Sequence, residues 1–330
     1  MRVAVVILNW NGKSLLQKFL PSVVAFSKEA TIYVADNAST DNSVTYVSDN
    51  FPTVKIIQNS VNGGYAKGYN DALKTLSEDI FVLLNSDVEV TENWLQPIIS
   101  QFESNSLIVA AQPKILDYKN KAYFEYAGAA GGFIDKYAYP YCRGRIFNTL
   151  EKDSGQYNDT TTIFWASGAC LFVRSDAFWK AGGLDEDYFA HQEEIDLCWR
   201  LNSNGGKIFY IGASKVYHVG GATLDAVNPK KTFYNFRNSL LNLIKNVKGT
   251  EVIFTILVRF ILDGVAGIQF LLKGKPKHCI AIVKAHFSFY GLLPKFITKR
   301  REYASNFDYF EIKSIVYQYF IKKRQYFDEH

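Results

Sequence analysis

The feature that most constrains the fold is an alternation of short, wholly apolar runs with segments of helical apolar spacing. Val3–Leu8 is a continuous apolar run rich in β-branched residues, which is typical of a strand buried on both faces. Further strands are predicted at Thr31–Ala35, Val54–Gln58, Ile80–Leu84 and Ile108–Gln112, and helices at Leu15–Phe26, Tyr69–Leu76 and Trp94–Glu103. The alternation predicts an α/β fold, a mostly parallel, Rossmann-like sheet flanked by helices.

Two of the predicted strands end directly in acidic residues. Asp36 follows the second strand, and Asp87 follows the strand Ile80–Leu84. In parallel α/β sheets, ligands bind beyond the carboxyl ends of the strands. Both carboxylates are therefore expected on the same edge of the sheet, where they form one candidate site.

Charge and cysteine content set limits on the class of protein. Residues 1–240 hold 22 Lys and Arg against 25 Asp and Glu, whereas residues 241–330 hold 15 against 7, so the C-terminal part is strongly basic. The four cysteines form no CxxC pair, which argues against a zinc ribbon and for reduced thiols in the cytoplasm. The apolar run at the N-terminus is too short for a signal peptide and lacks a cleavage site.

Two apolar stretches dominate the basic C-terminal part, Val252–Leu272 and Ile280–Phe296. Arg259 and Asp263 interrupt the first stretch four residues apart, so they share a helix face and are able to pair. We expect amphipathic helices that lie peripherally on the anionic cytoplasmic face of a membrane. A buried helical pair and a dimer interface are the alternatives. Nucleic acid is not an expected partner, because the basic residues flank apolar stretches rather than isolated stacking aromatics.

Two polar loops are candidates for nucleotide binding. The first, Asp36–Ser43, reads DNASTDNS; an Asp at a strand end is able to accept hydrogen bonds from a base N–H or from ribose hydroxyls. The second, Asn62–Gly68, contains glycines that permit close approach to a phosphate, and Lys67 would add positive charge. An ordinary turn and an ordinary glycine loop remain open alternatives for these segments.

Asp87, in the segment Asn85-Ser86-Asp87, is the candidate ligand of a hard divalent cation, Mn²⁺ or Mg²⁺, that bridges a diphosphate. Glu89 is the alternative carboxylate, although it lies further from the strand end. His218 would complete the metal site as a neutral imidazole. A helix-capping role for Asp87 and a structural role for His218 are the alternatives.

Glu193, Glu194 and Asp196 place three carboxylates within four residues. Such crowding raises a carboxyl pKa towards the range of a general base. An acidic helix start is the alternative, because carboxylates favour the positive end of the helix dipole. On a helix, Glu193 and Asp196 share a face and Glu194 points about 100° away, so helix geometry alone does not select the base.

Eight short motifs occur in an order that is typical of one enzyme family: VVILNWNG, DNASTDNS, NGGYAKGYN, LLNSDVEV, SGACLFVRSDAF, GGLDEDYF, EEIDLCWR and VYHVGG. Together, over roughly residues 1–240, they resemble the family 2 inverting glycosyltransferases, especially the bacterial rhamnosyltransferase-like branch. The resemblance implies a GT-A fold over residues 1–228, with a nucleotide-binding half at 1–112 and an acceptor half at 113–228. Residues 229–330 would then be a basic amphipathic helical extension.

The resemblance also implies roles for individual residues. Asp36 would contact the base or ribose, Asp87 would hold the metal ion, and His218 would reach the diphosphate–metal site. Glu194 occupies the position of the catalytic base, where the family usually has Asp, and Asp196 would hold an acceptor hydroxyl or orient the loop. The predicted residues that bind the nucleotide sugar are Asn9, Asp36, Asn37, Asp41, Gly64, Lys67, Asn70 and Ser86.

The function that the resemblance implies is inverting transfer of a sugar from a UDP- or dTDP-sugar to an acceptor hydroxyl. The expected acceptor is a saccharide or a lipid-linked saccharide in cell-surface polysaccharide assembly. A sugar-1-phosphate nucleotidyltransferase is one alternative, although VILNWNGKS lacks the strongly basic glycine-rich loop of that reaction. A catalytically inactive, membrane-associated scaffold that binds nucleotide sugars is the other.

Overall fold

The computed structural model describes residues 1–220, 228–305 and 307–330. The last glycine of the VYHVGG motif, Gly221, lies outside the described residues. The described strands are β1 Val3–Asn9, β2 Thr31–Asp36, β3 Lys55–Gln58, β4 Ile80–Asn85, β5 Val88–Val90, β6 Ile108–Asp117, β7 Gly132–Ile134, β8 Pro140–Cys142, β9 Arg145–Ile146, β10 Thr149–Leu150, β11 Thr160–Ile163, β12 Cys170–Arg174 and β13 Lys207–His218.

The described α-helices are α1 Lys13–Phe26, α2 Ser43–Asn50, α3 Gly64–Leu73, α4 Gln96–Ser104, α5 Ser175–Lys180, α6 Glu193–Ser203, α7 Pro229–Asn246, α8 Glu251–Leu272 and α9 Pro276–Tyr303. Short 3₁₀ turns lie at Glu186–Tyr188 and Phe327–Glu329, and a π-helical turn lies at Tyr317–Ile321.

Nine of the described strands form the main sheet, in the order β11-β13-β6-β12-β4-β1-β2-β3, with β5 paired to β13. β1 pairs in parallel with β2 and with β4, and β6 pairs in parallel with β13. β12 runs antiparallel between β4 and β6. The predicted mostly parallel α/β sheet is confirmed, and the register places Asn9 beside Asp36 and Leu8 beside Asn85 at one edge.

Helices cover both faces of the sheet. Val3, Val5 and Ile7 of β1 belong to a core shared with α1, α2 and α4, whereas Ala4 and Val6 belong to a second core on the opposite face. This alternation follows from the two-residue period of a strand. It also explains why β1 is apolar at nearly every position: neither face of the strand meets water.

The C-terminal helices are part of the second core. Leu240 and Leu241 of α7, Ile256 of α8, and Phe289 and Phe296 of α9 are buried in the same cluster as residues of β1, α3 and α6. The C-terminal extension predicted from residue 229 is therefore helical and packs closely on the α/β part. The division at residue 228 stays a prediction of chain organisation.

Two local expectations differ from the structure. The predicted loop Asn62–Gly68 is wrong beyond Gly63, because α3 already begins at Gly64, whose φ of 78° makes the turn into the helix. The apolar residues of 117–162 have no regular spacing, so the sequence predicts no strands there, whereas the structure contains a small four-stranded sheet of β7 to β10. These strands have two or three residues each, too few for a periodic signal.

Candidate functional site

Asn9 and Asp36 form the centre of the sheet edge. The Asn9 Nδ2 group donates hydrogen bonds to Asp36 Oδ1 at 3.0 Å and to Ser43 Oγ at 2.9 Å. The backbone N–H of Ser39 donates to Asp36 Oδ2 at 3.0 Å. Both side chains are buried, so the Asp36 carboxylate is fixed at the edge of the sheet. Each carboxylate oxygen keeps a lone pair, because each accepts a single hydrogen bond from the described residues.

Asp41 fixes the start of α1 against the start of α2. Its carboxylate accepts hydrogen bonds from the backbone N–H groups of Lys13 and Ser43, each at 3.1 Å, and from Ser43 Oγ at 2.5 Å. Burial opposes ionisation, but these hydrogen bonds hold the Asp41 pKa below its ordinary value. Asp41 therefore shapes the loop that surrounds Asp36.

Asn37 joins the first polar loop to the glycine loop. Its Nδ2 group donates to Asn62 Oδ1 at 2.9 Å and to the Gly64 carbonyl at 3.1 Å, and its Oδ1 accepts from Asn59 at 3.2 Å. Gly64 has no space for a side chain, because a Cβ there would lie 2.7 Å from the carbonyl oxygen of Phe189. The two predicted nucleotide loops are therefore one hydrogen-bonded unit.

Two further predicted residues, Lys67 and Asn70, have partners within the protein. Lys67 Nζ lies 2.7 Å from Asp71 Oδ2 on the same helix, which raises the Lys67 pKa although partial desolvation opposes it. Asn70 donates to the Leu184 carbonyl at 2.8 Å and accepts from the Leu184 N–H at 3.0 Å. The structure thus uses Asn70 to anchor α3, and Lys67 is already neutralised by Asp71.

Ser86 lies next to the turn between β1 and α1. A Cβ atom at Gly12 would be 3.9 Å from Ser86 Oγ and only 2.5 Å from Asn9 Oδ1. The turn therefore requires glycine at position 12, and it brings Ser86 to the same edge as Asn9. No polar partner occupies Asn9 Oδ1 within the described part of the chain.

Asp87 and His218 meet because β5 pairs with the end of β13, where Val88 is the register partner of His218. Asp87 Oδ1 lies 3.2 Å from His218 Nε2, and both side chains are buried. On the other side of the imidazole, Glu125 Oε2 lies 3.4 Å from Nδ1. Glu89 instead pairs with Lys121, which leaves Asp87 as the carboxylate that faces the histidine.

This arrangement fits a divalent cation shared with a diphosphate. In residues 1–220, 228–305 and 307–330, no group of three or more His, Cys, Asp or Glu side chains is arranged to hold a metal alone. Mg²⁺ and Mn²⁺ sites of nucleotide enzymes need few protein ligands, because substrate phosphates and water complete the shell. Two ligand atoms 3.2 Å apart are a suitable pair for one ion. Glu125 and Asp87 raise the His218 pKa to about 10 although burial opposes this, so a metal ion that binds Nε2 would have to displace the proton from that nitrogen.

Glu193 and Glu194 occupy the first turn of α6. One carboxylate oxygen of each, Oε2, is buried and has no hydrogen-bond partner among the described residues. Burial raises the Glu194 pKa to about 7 although backbone N–H groups oppose the shift. For Glu193, burial and the neighbouring charge of Glu194 raise the pKa well above its ordinary value. Glu194 is thus the carboxyl poised for proton transfer near neutral pH.

Asp196 has a different environment from the two glutamates. It is fully buried and contacts Arg200 at 2.6 Å, Lys245 at 2.8 Å and Asn246 at 3.0 Å. Burial alone would raise the Asp196 pKa, but Arg200 and Lys245 hold it well below the ordinary value. Of the two roles predicted for Asp196, this network supports orienting the loop.

The segment before α6 has an unusual backbone. Phe189, His191 and Gln192 all have positive φ, at 65°, 68° and 73°. Non-glycine residues rarely adopt this conformation, and such strain persists where the surroundings enforce it. Here Asn238 of α7 donates to the carbonyls of Tyr188, Ala190 and His191 at 3.2, 3.0 and 2.7 Å. Helix α7 therefore holds the segment that presents Glu193 and Glu194.

The edge of the sheet that carries Asp87 and helix α6, which carries Glu194, meet at Gly168 and Ala169. The Asn85 N–H donates to the Ala169 carbonyl at 3.0 Å, and Tyr65 Oη donates to the Gly168 carbonyl at 2.7 Å. A Cβ at Gly168 would lie 3.8 Å from Glu194 Cβ and 2.8 Å from Tyr65 Oη. Asp87, which is two residues beyond Asn85, and Glu194 therefore border one region of the structure.

Sequence reasoning missed four contributors to this region: Glu125, Tyr65, the Gly168–Ala169 segment and Asn238. Glu125 and Asn238 occur in stretches without a chemical motif, so no local signal identified them. The SGAC motif did contain Gly168, and a glycine beside a buried small residue is a signal for close backbone approach.

Comparison with known proteins identifies the class of enzyme that this fold and site define. The model of glycosyl transferase family 2 matches residues 4–182. A Mycobacterium tuberculosis N-acetylglucosaminyl-diphospho-decaprenol L-rhamnosyltransferase is 25% identical over 218 residues, 62% of this chain and 71% of the relative. The Escherichia coli K12 rhamnosyltransferase WbbL is 23% identical over 222 residues, 66% of this chain and 83% of the relative.

Solved structures agree on the fold. Staphylococcus aureus TarS 1–349 in complex with UDP-GlcNAc superposes with a TM-score of 0.58 at 15% identity, over 91% of this chain and 84% of TarS. GalNAc-T7 with UDP, GalNAc and Mn²⁺ superposes with a TM-score of 0.54 at 17% identity, over 66% of this chain and 43% of the GalNAc-T7 chain. The protein is thus a glycosyltransferase with a GT-A fold. It belongs to glycosyl transferase family 2, and its resemblance to the rhamnosyltransferase-like branch is confirmed.

Proposed function

We propose that the protein transfers a sugar, with inversion, from a UDP- or dTDP-sugar to a hydroxyl of a lipid-linked saccharide. One observation carries the proposal. The Asp87–His218 pair and Glu194 of α6 border the same region, on either side of the Gly168–Ala169 segment. Inverting transfer needs a leaving-group site and a base on opposite sides of the sugar. Relatives named rhamnosyltransferases support a deoxyhexose donor, and one is named for a lipid-diphosphate-linked acceptor.

In this mechanism Asp36 and Asn9 bind the base or ribose, and the loop held by Asn37 and Asp41 surrounds them. A divalent cation, Mn²⁺ or Mg²⁺, would be held by Asp87 and His218 and would offset the charge that develops on the leaving diphosphate. Two solved GT-A structures contain Mn²⁺, which supports this choice of ion.

Glu194 accepts the proton of the acceptor hydroxyl as the oxygen forms its bond to C1 of the sugar. The bond from C1 to the diphosphate oxygen breaks, the nucleoside diphosphate leaves with the electron pair, and the configuration at C1 inverts. The raised pKa of Glu194, about 7, suits a group that must take up a proton during turnover and release it afterwards.

A donor panel tests the proposal. Purified protein is incubated with Mn²⁺, a polyprenyl-diphosphate-linked saccharide and each of several UDP- and dTDP-sugars, including dTDP-L-rhamnose. We expect acceptor-dependent release of a nucleoside diphosphate for one donor, and a product of inverted anomeric configuration by NMR. Release of pyrophosphate from a nucleoside triphosphate and a sugar 1-phosphate would instead show a nucleotidyltransferase. Donor binding without any turnover in the panel would support the inactive scaffold.

A further inference from the structure

Helix α8 presents an apolar stripe to solvent. Its exposed side chains recur every three or four residues along the whole helix: Ile253, Leu257, Ile261, Val265, Ile268 and Leu272. Ile261 is 69% exposed and Leu272 is 84% exposed. A helix of a soluble protein normally turns such a stripe to the core, and contiguous exposed apolar surface marks an interaction site.

Helix α9 continues this surface. It runs antiparallel to α8, since Phe260 contacts Phe289, Asp263 contacts His286 and Phe270 contacts His278. Its exposed apolar side chains are Ile280, Val283, Phe287 and Tyr290, and Phe287 is 74% exposed. The two helices form a hairpin, which we call the α8–α9 hairpin, residues 251–303.

The inward stripe of the hairpin is charged and bound to the α/β part. Arg259 Nε lies 2.6 Å from Asp263 Oδ1, which confirms the predicted pairing, and Arg259 also donates to the Tyr137 carbonyl at 2.6 Å. Tyr139 Oη donates to Asp263 at 3.0 Å. Among the described helices, α9 is the one long and apolar enough to cross a membrane by length and composition. Because the hairpin packs on the protein along its length, its free side is suited to lie along a surface.

The charge of the hairpin decides which surface fits. Lys273, Lys275, Lys277 and Lys284 are exposed, and no carboxylate in the described residues forms an ion pair with them. Between residues 252 and 301 the single acidic residue is Asp263, which is buried and already paired. A two-fold contact with a second copy would bring these lysines together without partners. An anionic lipid surface supplies the missing negative charge.

We propose that the outward face of the α8–α9 hairpin docks in the interfacial region of an anionic bilayer and lies in its plane without spanning it. The apolar side chains enter the boundary between headgroups and acyl chains, and the four lysines contact lipid phosphates. The reason for docking rests on the proposed function, because a lipid-linked acceptor resides in the membrane to which the hairpin would bind.

The docking face is rigidly connected to the site. On α9, Lys299 binds Asp185 at 2.5 Å and Asp187 at 2.7 Å, and Lys295 binds Asp187 at 2.7 Å. These aspartates belong to the turn directly before the strained segment that presents Glu194. Docking of the hairpin therefore fixes the height of the acceptor site above the lipid surface.

Flotation with the 330-residue chain tests the proposal. We expect the wild type to float with vesicles of 70% phosphatidylcholine and 30% phosphatidylglycerol at low salt, and to stay unbound with pure phosphatidylcholine. The quadruple variant K273Q/K275Q/K277Q/K284Q is expected to partition into these vesicles about 100-fold or more weakly than the wild type. Each lysine near an anionic surface raises the partition coefficient about fivefold. The pair L257S/F287S is expected to abolish binding through loss of apolar insertion.

The matched control replaces four exposed lysines of the α/β part, K28Q/K119Q/K180Q/K207Q, which change net charge equally away from the hairpin. It is expected to retain binding. Equal loss in the control and in the hairpin variant would overturn the proposal, and so would a wild type that does not float. If the protein stays in the membrane after alkaline carbonate extraction, the hairpin spans the bilayer. If the wild type does not bind vesicles but forms a dimer that L257S/F287S dissociates, a second copy of the chain covers the face. Either result contradicts docking.

Turnover with a water-soluble acceptor analogue separates this inference from the proposed function. The hairpin variants are expected to keep wild-type release of nucleoside diphosphate in that assay, because the changed side chains face solvent. A protein that floats but has no transferase activity would retain the docking inference and contradict the proposed function.

Discussion

The carboxylate of Asp196 lies 2.8 Å from the ammonium group of Lys245 and 2.6 Å from the guanidinium group of Arg200, all three fully buried. This ion-pair network joins α6, which carries Glu194, to α7. It gives Asp196 and Glu194 opposite electrostatic environments although they are two residues apart. Arg200 and Lys245 hold the Asp196 pKa down despite burial, whereas burial raises that of Glu194.

Asp196→Asn is expected to destabilise the fold by about 3–5 kcal/mol, because it leaves Arg200 and Lys245 buried with insufficient negative charge. Chemical denaturation at pH 7 measures the change. The folded Asp196 pKa is below the ordinary 3.8, so the wild type gains this stabilisation above that pH and loses it as the pH falls. The difference in free energy of unfolding between the wild type and the variant is therefore expected to decrease as the pH falls. A variant as stable as the wild type would contradict a structural role.

Glu194→Gln is expected to reduce turnover by about 10²–10⁴-fold, the usual contribution of a positioned base. The change keeps the volume and removes the carboxylate, so donor affinity and stability are expected to stay close to those of the wild type. Single-turnover kinetics and donor titration provide the measurement. Glu193→Gln is the matched comparison on the same helical turn. Near-normal turnover in Glu194→Gln together with a loss in Glu193→Gln would transfer the role to Glu193.

The pH dependence of turnover is expected to follow the ionisation of Glu194. Because a base must be deprotonated, kcat/KM is expected to rise with pH and to level off above an apparent pKa of about 7. At one pH unit below that value the rate is expected to be about a tenth of the plateau. The profile is measured with saturating Mn²⁺ and with donor binding followed separately. A flat profile from pH 5 to pH 8 would exclude Glu194 as the titrating group.

The proposed metal site at Asp87 and His218 leads to a prediction about Glu125. Glu125→Gln is expected to weaken Mn²⁺ binding by about 10–100-fold, because a carboxylate beside the second ring nitrogen orients a metal-binding histidine. Mn²⁺ affinity is measured by electron paramagnetic resonance in the presence of the nucleoside diphosphate. Asp87→Ala is expected to abolish both metal binding and turnover while the fold persists, and Glu89→Gln is the control. Wild-type turnover that persists in excess chelator would refute the metal mechanism.

The strained segment before α6 depends on Asn238. Asn238→Ala removes three hydrogen bonds to the carbonyls of Tyr188, Ala190 and His191, and it is expected to reduce kcat by about 100-fold through displacement of Glu194. Donor affinity is expected to change little. Ser239→Ala is the matched control, since the Ser239 hydroxyl bonds only to Phe236 of its own helix in the described structure. An equal loss of kcat in both variants would show a general effect of α7.

Much of the α/β architecture followed from local patterns. The strand Val3–Leu8 and the helix Leu15–Phe26 agree with β1 and α1 to within two residues, because a strand buried on both faces has an unmistakable apolar run. The placement of Asp36 and Asp87 at one edge followed from parallel strand direction alone. Where the elements were too short for a period, as in β7 to β10, the sequence carried no signal.

The sequence by itself determined the fold class, the edge of the sheet that holds Asp36 and Asp87, and the family, because strand burial and motif order are local properties of the chain. Only the tertiary structure decided the environments of Glu194 and Asp196, the contact of Glu125 with His218 and the outward face of α8. Each of these depends on side chains from segments distant in sequence: Lys245 lies 49 residues beyond Asp196. Carboxylates of equal intrinsic chemistry acquire different roles through burial and neighbouring charge, and the folded chain sets both.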